Sequence, residues 1–171
     1  MESCAFSGHR PKNFPWKYNE TAQDCILLKE ILMKQVEKLI ERGVIDFYTG
    51  LAQGVDTWAA QAVLALREEN PMLRLHCVLP CRDQAVNWET AAQELHQHIQ
   101  DQADTVTYLS ETYREGCMLE RNRYMVDHTS ILLAVYNGGW RSGTAMTVHY
   151  AQKLGREIIR IDPKTGKVTH L

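Results

Sequence analysis

From Ser3 to Ile161 the chain alternates short apolar runs of β type with stretches of helical periodicity. Ser3 to Phe6 is a short apolar strand stopped by Ser7-Gly8. From about Thr21 to Arg42, the residues Leu28, Leu32, Val36, Leu39 and Ile40 recur at three- and four-residue steps, the period of an amphipathic helix. Gly43 stands where a C′ glycine ends one. Val44 to Tyr48 reads as a buried strand, and Gly54 to Glu69 as a helix broken by Asn70-Pro71. Leu73 to Leu79 predicts a strand, Val86 to Gln100 a polar-rich helix, and Thr105 to Leu109 a weak strand. A helix from about Cys117 to Asp127 precedes the strongest strand, Ile131 to Tyr136. Ser142 to Leu154 is the last helix, Glu157 to Ile161 the last strand, and Pro163 to Leu171 a turn and tail.

Strands separated by helices form βαβ units with right-handed crossovers. The expectation is one α/β domain over residues 1–171, Rossmann-like and doubly wound, with a mostly parallel sheet and helices on both faces. In such sheets ligands bind beyond the carboxyl ends of the strands, where the strand order reverses. Three glycine-rich segments follow predicted strands: Ser7-Gly8-His9-Arg10-Pro11, then Thr49-Gly50-Leu51-Ala52-Gln53-Gly54-Val55-Asp56, then Asn137-Gly138-Gly139 with Ser142-Gly143-Thr144. Glycines allow close backbone approach, and free N–H groups at a helix start attract phosphate. None of the three is a P-loop or a G-x-G-x-x-G fingerprint.

The expected phosphate cradle is the backbone of Gly138-Gly139 and Ser142 to Thr144, with Arg10 or Arg121 as charged partner. Ser7, Gly8, His9, Thr49, Gly50, Gly54 and Asp56 complete the candidate set, although Thr49 and Asp56 could equally cap a helix. Trp58 and Trp88 read as core anchors, and Trp16 and Trp140 as stacking candidates in loops. His96 and His98, two apart on a helix, point to different sides and make poor metal co-ligands. No metal is expected. The five cysteines include no C-x-x-C and read as reduced thiols. A formal charge of −2 argues against coating nucleic acid through bulk charge. No run approaches the ~20 apolar residues that span a bilayer, so a cytoplasmic protein without a membrane partner is expected.

Together the segments SGHRP (Ser7 to Pro11), TGLAQGVDTWAA (Thr49 to Ala60) and GGWRSGTAMTVHYA (Gly138 to Ala151) resemble the YpsA family of the SLOG superfamily. That superfamily also holds the DNA-processing protein DprA and the LOG phosphoribohydrolases. The resemblance implies a Rossmann-like crevice that binds a nucleotide, ADP-ribose or an NAD-like ligand, with no required cofactor and no established reaction. A homodimer is expected by analogy. Glu120 to Met125 is similar to the E-R-K-x-x-M segment of the LOG enzymes, with Asn122 in place of lysine, and Arg121 matches their arginine. Thr147 stands where their glutamate would be, so LOG-type hydrolysis is not expected unless Asp56 or Asp127 supplies the carboxylate. Thr49 to Asp56 is similar to a turn of DprA, which brings in single-stranded DNA as a third ligand class, and the formal charge of −2 makes it the least favoured of the three.

Overall fold

A computed structural model describes residues 1–171. Its strands are β1 (Ser3–Gly8), β2 (Asp46–Thr49), β3 (Arg74–Leu79), β4 (Thr105–Tyr108), β5 (Ile131–Val135), β6 (Glu157–Ile161) and β7 (Val168–His170). The helices are α1 (Gln23–Glu41), α2 (Val55–Arg67), α3 (Thr90–Gln102), α4 (Cys117–Asp127) and α5 (Gly143–Lys153). One sheet runs in the order β4-β3-β2-β1-β5-β6-β7, parallel throughout except for the β6–β7 pair. The fold is therefore the Rossmann-like α/β arrangement that the alternation implied.

The chain steps outward from β1 to β4 and then crosses back to place β5 on the other side of β1. Helices α1, α2 and α3 share one core, in which Leu28, Leu32, Val36, Val63 and Ile99 meet Cys4, Phe6, Phe47, Leu75 and Leu133. Helices α4 and α5 share the other, with Met125, Val126, Val148 and Ala151 against Ala5, Leu132, Ala134 and Ile158. Alternate residues of β1 and β5 feed the two cores, as a strand's period of two requires. All five residues of β5 are buried, the mark of a central parallel strand. The strand order reverses between β1 and β5, where Cys4 to Gly8 pair with Ile131 to Val135. A crevice opens beyond their carboxyl ends.

Three stretches differ from the sequence expectation. Strand β1 runs on through Ser7 and Gly8, which pair with Ala134 and Val135. The third helix begins at Thr90, and the residues from 81 to 89 form turns. Side chains hold those turns: Gln93 Nε2 donates to the carbonyls of Ala85 and Val86 at 2.9 and 3.2 Å. The expected tail contains β7, because a tight turn closed by Gly166 N–H to Asp162 O (2.8 Å) folds Val168–His170 back onto β6. A three-residue strand carries too little period to be read from sequence. No helix is long and apolar enough to cross a membrane. All five cysteines are buried and unpaired, and no group of three His, Cys, Asp or Glu side chains converges to hold a metal.

Candidate functional site

At the β1–β5 reversal lies a small, almost wholly polar cavity of about 240 Å³. Four segments distant in sequence line it: residues 7–10 at the carboxyl end of β1 and just beyond it, Ala52 and Asp56 around the start of α2, Arg121-Asn122 on α4, and residues 142–144 at the start of α5. Lys12 and Asn13 close the rim. Ser7, Gly8, His9, Arg10, Asp56, Arg121, Ser142, Gly143 and Thr144 thus converge, as the sequence suggested they could.

Arg121 is the buried cation of the site, only 2% exposed. Its Nη1 donates to Gly50 O at 2.6 Å and its Nε to Asn122 Oδ1 at 2.8 Å. Gly50 does not line the cavity. A Cβ there would overlap the guanidinium, so a residue without a side chain is what lets Arg121 lie flat on the turn. Gly50 O also accepts from Gln84 Nε2 at 3.1 Å. Thr49 is buried and spends its hydroxyl on the turn, donating to Asp56 O at 2.8 Å and accepting from Leu51 N at 3.2 Å. Leu51 is held left-handed at φ 52° and Gly54 at φ 91°, and the second of these brings α2 close to His9 O. Thr49, Gly50 and Gly54 therefore shape the turn, and the cavity is lined by their neighbours.

Asp56 is 6% exposed and accepts from Ala52 N at 3.3 Å. Burial pushes its carboxyl above the usual range, against the opposing field of Arg121. Burial likewise draws the Arg121 guanidinium below its ordinary value, while Asp56 works the other way. The guanidinium stays charged. Asp127 is elsewhere: it is exposed and accepts from Tyr150 OH at 2.6 Å. Thr147 is buried in α5 with its hydroxyl on Gly143 O at 2.9 Å, so it offers nothing to the cavity.

His9 bridges the reversal, its Nε2 accepting from Asn137 N at 3.2 Å, which fixes the neutral Nδ1–H tautomer. Burial lowers its pKa. Its ring packs edge-on against Phe14 and Tyr136. Arg10 and Lys12 are exposed at the mouth, and neither side-chain cation is engaged by another group of the chain. Arg123, on the same helix as Arg121, instead lies over the Tyr150 ring.

Ser142 caps α5, its Oγ accepting from Ala145 N at 3.0 Å. The N–H groups of Gly143 and Thr144 donate to nothing in the chain, and beyond its own helix backbone and chain neighbours nothing lies within 4 Å of where a Gly143 Cβ would be. Gly138 and Gly139, expected in the cradle, stand outside the cavity. Gly139 N–H already donates to Asn137 Oδ1 at 2.9 Å, and the Arg160 guanidinium packs on Gly138. Trp58 is buried as expected. Trp16 is stacked on Phe14 with ring centroids 4.6 Å apart, and Trp140 is 70% exposed beneath Arg141. Trp88, expected in the core, is only half-buried.

Gln84 belongs to none of the three glycine-rich segments. Its only signal was membership of an amide-rich stretch in which His96 and Gln100 stand four apart on α3. The arrangement as a whole can hold an anion: two free N–H groups at a helix start, the buried Arg121 and two unpaired cations at the rim face one polar space.

The prophage-derived protein YoqJ of Bacillus subtilis is 28% identical over 151 residues, spanning 80% of this chain and 88% of that protein. A UPF0398 protein of Bacillus pumilus is 31% identical over 140 residues, spanning 80% of this chain and 74% of its own length. Among solved structures, the DNA processing protein A of Helicobacter pylori superposes with a TM-score of 0.60 at 19% identity. That match covers 94% of this chain but 65% of the other, a likeness of fold. The sequence model of the YspA SLOG family (YpsA) matches residues 4–165, and the chain belongs to that family.

Proposed function

We propose that this protein binds the phosphate of a nucleotide-class ligand (a nucleotide, ADP-ribose or an NAD-like molecule) in the polar cavity, as a binding or sensing protein of the cytoplasm. The observation that carries the reading is the convergence of the free Gly143 and Thr144 N–H groups with Arg121 and Arg10 on one space. Helix-start N–H groups supply fixed partial positive charge at no reorganisation cost, and a guanidinium adds a charge-assisted bond. The test is thermal unfolding with AMP, ADP, ADP-ribose, NAD and a short single-stranded oligonucleotide. A ligand at ~100 times its Kd adds about 2.7 kcal/mol, a rise of roughly 5–11 °C at this size. No rise with any phosphate-bearing compound refutes the reading. A rise with the oligonucleotide alone, lost steeply with salt, would favour single-stranded DNA, which the DNA processing protein A of Helicobacter pylori binds.

One observation favours a second reading, N-glycosidic hydrolysis of a nucleoside phosphate. Asp56 lines the same cavity as Arg121, and burial favours its protonated form, the state of a general acid. Prolonged incubation with nucleoside monophosphates distinguishes the two: release of free base supports hydrolysis, and intact ligand supports binding alone.

A further inference from the structure

Against the polar cavity lies a second, larger chamber of about 710 Å³, and Arg10, Lys12 and Ala52 line both. The polar cavity, about 240 Å³, falls below the roughly 300–1,000 Å³ of sites that enclose a whole small molecule. It has room for a phosphate and its nearest atoms, and the rest of any nucleotide must extend past Arg10 and Lys12. The larger chamber has a different chemistry. Trp58, Leu95 and Ala92 give it apolar walls, and half-buried Trp88 stands at its edge.

The exposed side chains of Arg10, Lys12, Glu20 and Glu89 also line it, and two sets of neutral polar groups bear on a ligand. Gln84 and His96 are buried and already bonded: His96 Nε2 meets Gln84 Oε1 at 2.9 Å, and Gln100 Nε2 meets His96 Nδ1 at 2.8 Å. Burial holds the His96 pKa down to about 4, so this wall is uncharged at neutral pH. Asn87 is exposed on the lining, and its side-chain amide has no partner in the chain. An uncharged wall, an indole and a free amide suit a planar heteroaromatic ring, which stacks by its face and hydrogen-bonds by its edge.

We propose that the larger chamber is the subsite for the base of the nucleotide, with Trp88 as its stacking platform and Asn87 as its edge reader. The inference rests on the phosphate reading of the polar cavity. Gln84 joins the two spaces, because its Nε2 donates to the Gly50 carbonyl that also receives Arg121. The base-contacting wall and the phosphate-facing guanidinium thus share one fixed atom.

The test is calorimetric titration of AMP and of ribose 5-phosphate into wild type, Trp88→Ala, Trp88→Phe and Gly143→Leu. Trp88→Ala should weaken AMP by roughly 5- to 150-fold, the range for loss of one base–aromatic stack, and leave ribose 5-phosphate unchanged. Trp88→Phe should restore most of the loss, and Gly143→Leu should abolish both ligands. Asn87→Ala, on an exposed residue, probes the same chamber without disturbing its packing and should weaken AMP alone. If both Trp88→Ala and Asn87→Ala bind AMP like wild type while Gly143→Leu binds neither compound, the ring subsite is refuted and the phosphate cavity stands. If Trp88→Ala weakens both compounds equally, the ring subsite is refuted as well. Wild type that binds neither compound overturns both readings.

Discussion

Gly50→Ala offers a sharp test of how the buried arginine is held. A Cβ at position 50 would come within 2.6 Å of Arg121 Nε and closer still to Cζ and Nη1. Ordinary contact between such atoms needs roughly 3.5 Å, so the guanidinium must withdraw by about 1 Å or more. The backbone at Gly50 is not left-handed, so alanine itself is accepted there. The turn's carbonyl is not orphaned either, since Gln84 Nε2 still donates to it. What is lost is the buried bond from Arg121 Nη1, a charged donor, worth about 1.5–3 kcal/mol. Reduced freedom of the unfolded chain returns about 0.4–1 kcal/mol. The net loss is then about 0.5–2.6 kcal/mol, a fall in Tm of roughly 1–10 °C at this length. Thermal unfolding should show this in the wild-type background and show no loss in an Arg121→Met background, where no guanidinium remains to be displaced. In titrations, Gly50→Ala should weaken phosphate-bearing ligands as Arg121→Met does. An equal cost in both backgrounds would refute the reasoning, because the alanine would then be acting on something other than Arg121.

Other outcomes follow from the same geometry. A Cβ at position 143 would meet nothing within 4 Å beyond its own helix backbone and chain neighbours, so Gly143→Leu should stay within about 0.5 kcal/mol of wild type in stability, while ligand-induced rises in Tm vanish. Ser142→Ala removes the cap bond to Ala145 N and should cost about 1 kcal/mol, lowering Tm by roughly 2–4 °C in differential scanning calorimetry. For His96 the folded pKa lies near 4 against 6.5 when unfolded, so the unfolded chain takes up a proton first as pH falls. Stability is therefore fully present above 6.5 and declines towards 4, and His96→Gln should flatten that part of the Tm–pH profile. Asp56 has the opposite sign: its raised pKa means that stability falls as pH rises through the window above the ordinary value of 3.8. Asp56→Asn should remove that fall, read as the difference between the two profiles.

Periodicity in the sequence determined the architecture. Helix α4 and strand β6 were readable in place and type, because the helix from about Cys117 follows Gly116 and ends before Thr129-Ser130, and Glu157–Ile161 is rich in isoleucine and bounded by Gly155 and Pro163. The alternation of elements dictated parallel pairing, and parallel pairing dictated that the glycine-rich ends of β1, β2 and β5 share one edge. Local pattern could not say which side chains of those segments face the space between them. Thr49 and Gly139 look like ligand residues by position, yet their hydrogen-bonding groups are spent on Asp56 O, Leu51 N and Asn137. Arg121 turns inward and Arg123 outward, two residues apart on one helix, because only the first meets the gap that Gly50 leaves. Gln84, His96 and the chamber beside Trp88 depend on turns over residues 81–89 that carry no period at all. Backbone pattern is encoded within ten or so residues. The site is made where residues 7, 121 and 143 line one cavity and the Gly50 carbonyl receives both Arg121 and Gln84, and only the closed tertiary structure brings that set together.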